Sequence, residues 1–389
     1  MRPLSDRTAS FTDSVIRRMT RVSNQFSAIN LSQGFPDFDP PKEILERLKE
    51  VAHEDFHQYS ITWGAQNTRE ALAAKATRFM GIDIDPGSEV VITCGGTEAM
   101  MAAVMTVCNP GDKVAIFSPF YENYGADSIL SGAEPVYVAL KPPEFNFDPN
   151  ELEAAFKSGA KALILCNPSN PSGKVFSPEE MQTIADLAIK YDAYVITDEV
   201  YEHIVYSPKK MVYMATLKGM RERTIVTGSL SKTYSITGWR LGYTIAPPEI
   251  TDRIRKVHDF LTVGAAAPLQ EAIVTGLNFP DEYYRNLLDI YTGKRDLFCD
   301  GLKDIGLKFK KPEGAYYVLV EISDWKYEDD LKFCYDLAEK VGVGAVPGSS
   351  FFHEDINNYI RFHFAKKDET LNEALNRLKD IYRKMEVAG

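Results

Sequence analysis

From residue 89 onward the chain alternates short apolar runs, many of them β-branched, with longer stretches whose apolar residues recur every three or four positions. EVVIT (89–93) precedes TEAMMAAVMTV (97–107), KVAIF (113–117) precedes YENYGADSILSG (121–132), and KALILC (161–166) precedes PEEMQTIADLAIKY (178–191). VYVAL (136–140), AYVIT (193–197), TIVTG (224–228) and LGYTIA (241–246) are further strand-like runs. Unbroken apolar runs read as strands buried on both faces, and the longer stretches read as amphipathic helices. The alternation therefore predicts an α/β architecture, a mostly parallel sheet covered by helices on both sides.

From about residue 285 the pattern changes. A long helical stretch (281–306) leads into KFKKPEGAYYVLVEI (308–322), another helix, VGAVPGSSF (343–351) and NYIRFHFA (358–365). This predicts a smaller α+β domain. The first forty residues lack the alternation and are expected to pack against it. The expected division is a large domain over 41–284 and a small one from 1–40 and 285–389.

Composition narrows the function. The 389 residues carry a net charge of −11, which disfavours binding to nucleic-acid phosphates or to an anionic membrane. No run approaches the roughly 18 to 20 apolar residues that span a bilayer. The N-terminal MRPLSDRTASFTDSVIRRM has no apolar signal core, so a cytoplasmic location is expected. The five cysteines (94, 108, 166, 299, 334) are odd in number and lack metal-site spacing, and they read as reduced, mostly buried thiols. His53 and His57 lie four apart on an expected helix, but no third ligand is evident and no metal is expected.

Residues capable of polar chemistry cluster just beyond the C-terminal ends of the predicted strands. CGGTEA (94–99) follows EVVIT, SPFY (118–121) follows KVAIF, and NPSNPSG (167–173) follows KALILC; Asp198 ends AYVIT and SLSK (229–232) follows TIVTG. In an open α/β sheet these ends converge on one crevice, where ligands bind. Gly95-Gly96-Thr97 opening a helix can hold an anion such as phosphate on backbone N–H groups, and Ser229 and Arg240 flank Lys232 with a hydroxyl and a fork of donors for the same anion. Tyr121 offers a ring for stacking or for core packing. A carboxylate at Asp198 needs a cationic partner, either a protonated heterocyclic nitrogen or a structural salt bridge. Tyr201 and Asn170 can reach an oxygen on such a ring. Lys232, desolvated and near other cations, would have a lowered pKa and form a Schiff base with an aldehyde.

SLSKTYSITGWRLGY (229–243), NPSNPSG (167–173) and DEVY (198–201) together resemble the motif set of class I/II pyridoxal-phosphate aminotransferases of fold type I. The resemblance runs from LSQGFPDF (31–38) to YIRFHF (359–364). It implies Lys232 as the Schiff-base lysine, Asp198 as partner of the pyridinium nitrogen, and Asn170 and Tyr201 on the ring oxygen. It implies Tyr121 as the stacking ring and Gly96, Thr97, Ser229 and Arg240 as the phosphate cup. Arg361 would grip the substrate carboxylate, with Gly34 on a loop that closes over substrate. Tyr59 would reach the phosphate of a neighbouring subunit, which implies a homodimer with shared active sites.

The expected reaction is ping-pong transfer of an amino group from an L-amino acid to a 2-oxo acid, with Lys232 as the proton carrier. The same motifs leave a C–S β-lyase open, and an aminotransferase-like ligand-sensing regulator is a further alternative. LSQGFPDFDPP (31–41) resembles the subgroup of kynurenine, glutamine–phenylpyruvate and methionine transaminases, while aspartate and aromatic transaminases share most other motifs. Trp63 and Phe35 are candidates to line a side-chain pocket, or to be core aromatics. The tyrosines of KKPEGAYYVLV (310–320) are expected to pack.

Overall fold

The structure is a computed structural model that describes residues 2–9, 11 and 13–387. Its main sheet has the strand order Val90–Thr93, Gly242–Ile245, Thr224–Ser229, Tyr194–Asp198, Ala160–Cys166, Lys113–Ser118, Glu134–Lys141 and the two-residue Asn146–Phe147. The strands from Thr224–Ser229 through Glu134–Lys141 pair in parallel, and Gly242–Ile245 runs antiparallel to both its neighbours. The reversal has a local cause. After Ser229 the chain makes a single helical turn (Leu230–Thr233) and comes straight back, so that Gly242 pairs with Ser229.

Both faces of this sheet are buried, as the unbroken apolar runs require. Ala115, Phe117, Leu163, Leu165 and Val195 belong to the core on one side. The alternate positions Val114, Ile116, Ala162, Ile164 and Ile196 belong to the core on the other, beneath helices Gly96–Val107 and Pro248–Thr262. This two-residue alternation is the strand pleat expressed as packing.

A second core lies around an antiparallel sheet of Lys308–Phe309, Tyr317–Glu321, Tyr359–His363 and Val346–Pro347. The N-terminal segment joins this core. Met19 and Val22 of helix Val15–Gln25 are buried in it with Leu31, and Ile29–Asn30 pairs with Val343–Gly344. Helix Asp281–Ile305 runs unbroken between the two regions. Its Tyr284 is buried with the large-sheet core, while Leu287, Tyr291, Phe298 and Leu302 are buried in the smaller one. The helix thus passes through the expected boundary at 284/285 instead of ending there. Among the described residues no helix is long and apolar enough to cross a membrane.

One expectation changes. His53 lies in the turn that follows helix Lys42–Val51 and His57 in the irregular segment beyond it, not on a helix, and no group of three or more metal-ligating side chains occurs among the described residues. Of its two expected places Trp63 takes the core: it is partly buried beneath Arg255, whose guanidinium lies 4.8 Å from the ring centroid, and it is not among the residues that line the cleft.

Candidate active site

A cleft of about 470 Å³ opens where the C-terminal ends of the parallel strands face the small sheet. It is lined by Gly34, Gly96, Thr97, Tyr121, Asn170, Asp198, Tyr201, Ser229, Lys232, Arg240 and Arg361, and so brings together every sequence-predicted site residue except Tyr59.

One end of the cleft is shaped by close backbone approach. Gly95 has φ 89°, and a Cβ there would lie 2.2 Å from Arg240 Nη2. A Cβ on Gly242 would lie 2.3 Å from the Gly95 carbonyl carbon. Only glycines permit strand 242–245 and the 94–97 turn to meet this way. Helix Gly96–Val107 then starts with its N–H groups facing the cleft end, and Arg240, itself left-handed at φ 55°, is steadied by donating from Nη1 to Thr237 O at 2.9 Å. Ser229 Oγ accepts from Ser231 N–H at 3.2 Å, and Ser231 Oγ is buried with no partner among the described residues. Ser229 Oγ also donates to Leu241 O at 3.2 Å, so the unpartnered hydroxyl of Ser231, a helix N-terminus and a guanidinium make a receptor for a phosphate group.

Lys232 stands at the centre. Its Nζ donates to Gly34 O at 2.8 Å and lies 5.8 Å from the centroid of the Tyr316 ring. Burial, followed by the positive charges of Arg240 and Arg361, lowers its pKa to about 8 against the opposing pull of Asp198. An amine so placed is a ready nucleophile near neutral pH.

Opposite the phosphate end, burial pushes the Asp198 carboxyl above the usual carboxylate range; the Tyr124 hydroxyl, the Val200 N–H and the charge of Lys232 offset this. Tyr124 OH donates to Asp198 Oδ2 at 2.7 Å, and Val200 N–H donates to Oδ1 at 3.2 Å. A buried carboxyl with these donors but no ion pair is matched by a protonated ring nitrogen. Cys166 lies in register with Asp198, and burial with Asp198 nearby pushes its thiol up to about 12, so it is inert. Tyr201 OH and Tyr317 OH are 2.9 Å apart.

Arg361, on strand Tyr359–His363, is fully buried. Its Nη1 donates to Asn170 Oδ1 and its Nη2 to Ser32 O, each at 2.8 Å, and its guanidinium lies 4.3 Å from the Tyr317 ring centroid and 4.6 Å from that of Phe351. Its Nε has no partner among the described residues, which leaves a donor for an incoming carboxylate. Gly34 is confined here too, since a Cβ would fall 2.2 Å from Tyr317 OH. Phe35 lines the cleft, as anticipated.

Several lining residues escaped the sequence reading. Tyr124 was visible in principle, because YENY places a second tyrosine just inside the helix that Tyr121 precedes, and the two rings meet edge to face at 5.8 Å. Tyr316 and Tyr317 do more than pack: Tyr316 OH donates to Gly34 O at 3.0 Å, and Tyr317 meets Tyr201. Asp127, raised to about 8 by burial and the neighbouring Asp198, and the rim residues Arg17 and Glu122 had no sequence signal. Tyr59 is 87 % exposed and lies outside the cleft.

Residues 27–378 match the family Aminotransferase class I and II. The chain is 37 % identical over 368 residues to a methionine aminotransferase of Escherichia coli, covering 94 % of this chain and 95 % of that protein. It is 35 % identical to the human kynurenine–oxoglutarate transaminase 3, covering 91 % and 85 %. The solved structure of an N-succinyldiaminopimelate aminotransferase from Mycobacterium tuberculosis superposes with a TM-score of 0.93 at 35 % identity, covering 97 % of this chain and 99 % of that one. The chain belongs to the class I and II aminotransferase family, and it is a pyridoxal-phosphate-dependent transaminase. The cleft fits that cofactor, with a phosphate receptor at one end, a half-buried amine at the centre and, at the other, a half-buried carboxyl with no ion pair among the described residues.

Proposed function

We propose that this enzyme moves the amino group of an L-amino acid with an uncharged side chain, of the methionine, glutamine or aromatic type, to 2-oxoglutarate. The observation that carries the reading is Arg361. It is the fully buried arginine of the cleft and has a free Nε donor, while Ile16, Phe35 and Tyr121 line the same space. One end of the substrate therefore meets a desolvated cation, and the rest meets Ile16, Phe35 and Tyr121 beside the polar rim of Arg17, Gln33 and Glu122. The names of the methionine and kynurenine–oxoglutarate relatives point the same way.

In this reading Gly96, Thr97, Ser229 and Arg240 hold the cofactor phosphate, and Tyr121 stacks on the ring. Asp198, oriented by Tyr124, keeps the ring nitrogen protonated, and Tyr201 and Asn170 hold the ring oxygen. When bound, pyridoxal phosphate supplies an aldehyde for amines and a cationic ring that stabilises negative charge at the substrate α-carbon. Lys232 would hold that aldehyde through Nζ, and the same nitrogen would carry the substrate α-proton. Arg361 orients the α-carboxylate, and Gly34 and Phe35 cover the bound substrate and exclude water.

Two further assignments belong here. Tyr59 is exposed on a surface that also shows Ile61, Phe260 and Val263, with Phe260 at 91 % exposure. This apolar patch supports a homodimer in which Tyr59 reaches the partner's phosphate site. The free cysteines fit a reducing cytoplasmic compartment. A panel of amino donors with 2-oxoglutarate, scored by glutamate formed, tests the substrate reading. Methionine, glutamine and aromatic donors are expected to exceed aspartate in kcat/KM by about tenfold or more, and a preference for aspartate would overturn it.

A further inference from the structure

Behind the cup lies a buried charged cluster that the reaction does not use. Helix Gly96–Val107 places Glu98 in its first turn with the side chain turned back under the cup. Glu98 Oε2 accepts from Cys94 N–H at 2.5 Å, and Oε1 accepts from Thr262 Oγ1 at 3.2 Å. Oε1 also lies 2.5 Å from Nδ1 of His258, which is fully buried on helix Pro248–Thr262. The other ring nitrogen, Nε2, is 2.8 Å from the carbonyl oxygen of Thr62. Thr62 lies three residues after the exposed Tyr59 and next to Ile61.

One ring proton can be placed by counting donors. A carbonyl oxygen only accepts, so Nε2 of His258 carries a hydrogen. Glu98 Oε2 accepts the Cys94 N–H, and the single Thr262 hydroxyl hydrogen has Glu98 Oε1 at 3.2 Å, His258 Nδ1 at 3.3 Å and the His258 carbonyl oxygen at 3.4 Å within reach. Nδ1, 2.5 Å from Glu98 Oε1, ties the other edge of the ring to the cup helix. Although burial opposes the charge, the hydrogen bond to Glu98 and its negative charge hold the His258 pKa above the usual histidine value. Asp259 on the same helix adds a further negative charge. One rigid ring thus joins the helix that forms the cup to the segment that carries Tyr59. That helix also ends in the exposed Phe260–Val263 patch.

We propose that His258 is a positioning residue that, by bridging Glu98 and Thr62, couples the seating of the cofactor phosphate to the docking of the second subunit. The proposal rests on the homodimer reading given above. Without the bridge, the cup helix and the Tyr59 segment are free to shift independently, and neither the enzyme's own cup nor the tyrosine offered to the partner is held in register.

The test compares wild-type holoenzyme with His258→Gln, Glu98→Gln and the double variant, each checked for native circular dichroism. Cofactor dissociation constants are measured by loss of the bound-cofactor absorbance, and dimer dissociation constants by sedimentation. Each single variant is expected to raise both constants by about tenfold, and the double variant to add little. In the wild type, a strongly deshielded ring N–H proton signal that vanishes in His258→Gln and shifts in Glu98→Gln is expected. A variant that weakens one constant and spares the other overturns the coupling, as does absence of the ring signal. If His258→Gln does not fold, Glu98→Gln alone must move both constants. A wild type that is monomeric while loaded with cofactor would overturn the homodimer reading itself, whereas a loaded wild-type dimer with unaffected variants would sink only this inference.

Discussion

At the phosphate end, Gly95, Gly96, Ser229 and Arg240 come from two loops that meet across the adjoining ends of strands 90–93, 242–245 and 224–229. At the carboxylate end, Arg361 is held by Ser32, Asn170 and the Tyr317 ring, gathered from distant parts of the chain. The first end works by leaving side chains out, so that backbone N–H groups and a guanidinium approach an anion closely. The second works by burying a cation and satisfying it with side-chain and carbonyl acceptors. An anion that stays can be held by rigid backbone geometry, while one that enters and leaves each cycle is better met by a cation whose partners can be exchanged.

Lys232 serves both ends, so its loss should cause the largest effect. Lys232→Ala is expected to lower single-turnover amino transfer on the order of 10⁴-fold or more and to abolish the absorbance of the lysine-linked cofactor. Activity within tenfold of wild type would remove the lysine from the reaction. Arg361→Ala should raise KM for the amino donor by about 10²- to 10³-fold while leaving cofactor affinity nearly unchanged. Arg361→Lys should fall between, since it keeps charge but loses the fork. An equal loss of cofactor affinity would erase the distinction between the two ends.

The pH response sharpens the same division. With the Lys232 pKa lowered to about 8, the amine is protonated below that value and neutral above it. Capture of pyridoxal phosphate by cofactor-free protein, followed by stopped-flow absorbance, should accelerate about tenfold per pH unit below this point and level off above it. A rate that keeps rising to pH 10 would contradict a lowered pKa. The smallest effect is expected from Gly95→Ala, whose left-handed backbone disfavours a Cβ and whose Cβ displaces Arg240. Equilibrium dialysis should show cofactor affinity reduced about tenfold, with KM for the amino donor of the loaded enzyme unchanged.

Legibility in the sequence follows the same line. The sheet was readable because each strand is a contiguous apolar run, and the phosphate end because Gly95–Thr97 and Ser229–Arg240 sit on short stretches beside such strands. The antiparallel course of Gly242–Ile245 was not, because apolar periodicity carries no strand direction. Tyr317 and Tyr316 read as packing residues because their hydroxyl partners, Tyr201 and Gly34, are far away in the chain. His258 and Glu98 gave no signal for the same reason, being 160 positions apart and joined only by the fold. Trp63 shows the converse: its place near Gly34 and Tyr59 in the motif order left both cleft and core open, and only the fold puts its ring against the core.

Helix Asp281–Ile305, rooted at Tyr284 in one core and at Phe298 in the other, has a mechanical consequence. Its 25 residues make a rod about 37 Å long. A tilt of a few degrees where it leaves the large sheet becomes a displacement of about an ångström at the far core, the core that carries the strand of Arg361. Arg361, proposed above to hold the substrate carboxylate, is thus joined through one rod to packing remote from it. Substitutions around Tyr284 and Phe79, which stack edge to face there, bear on the placement of Arg361 without touching a single residue of the cleft.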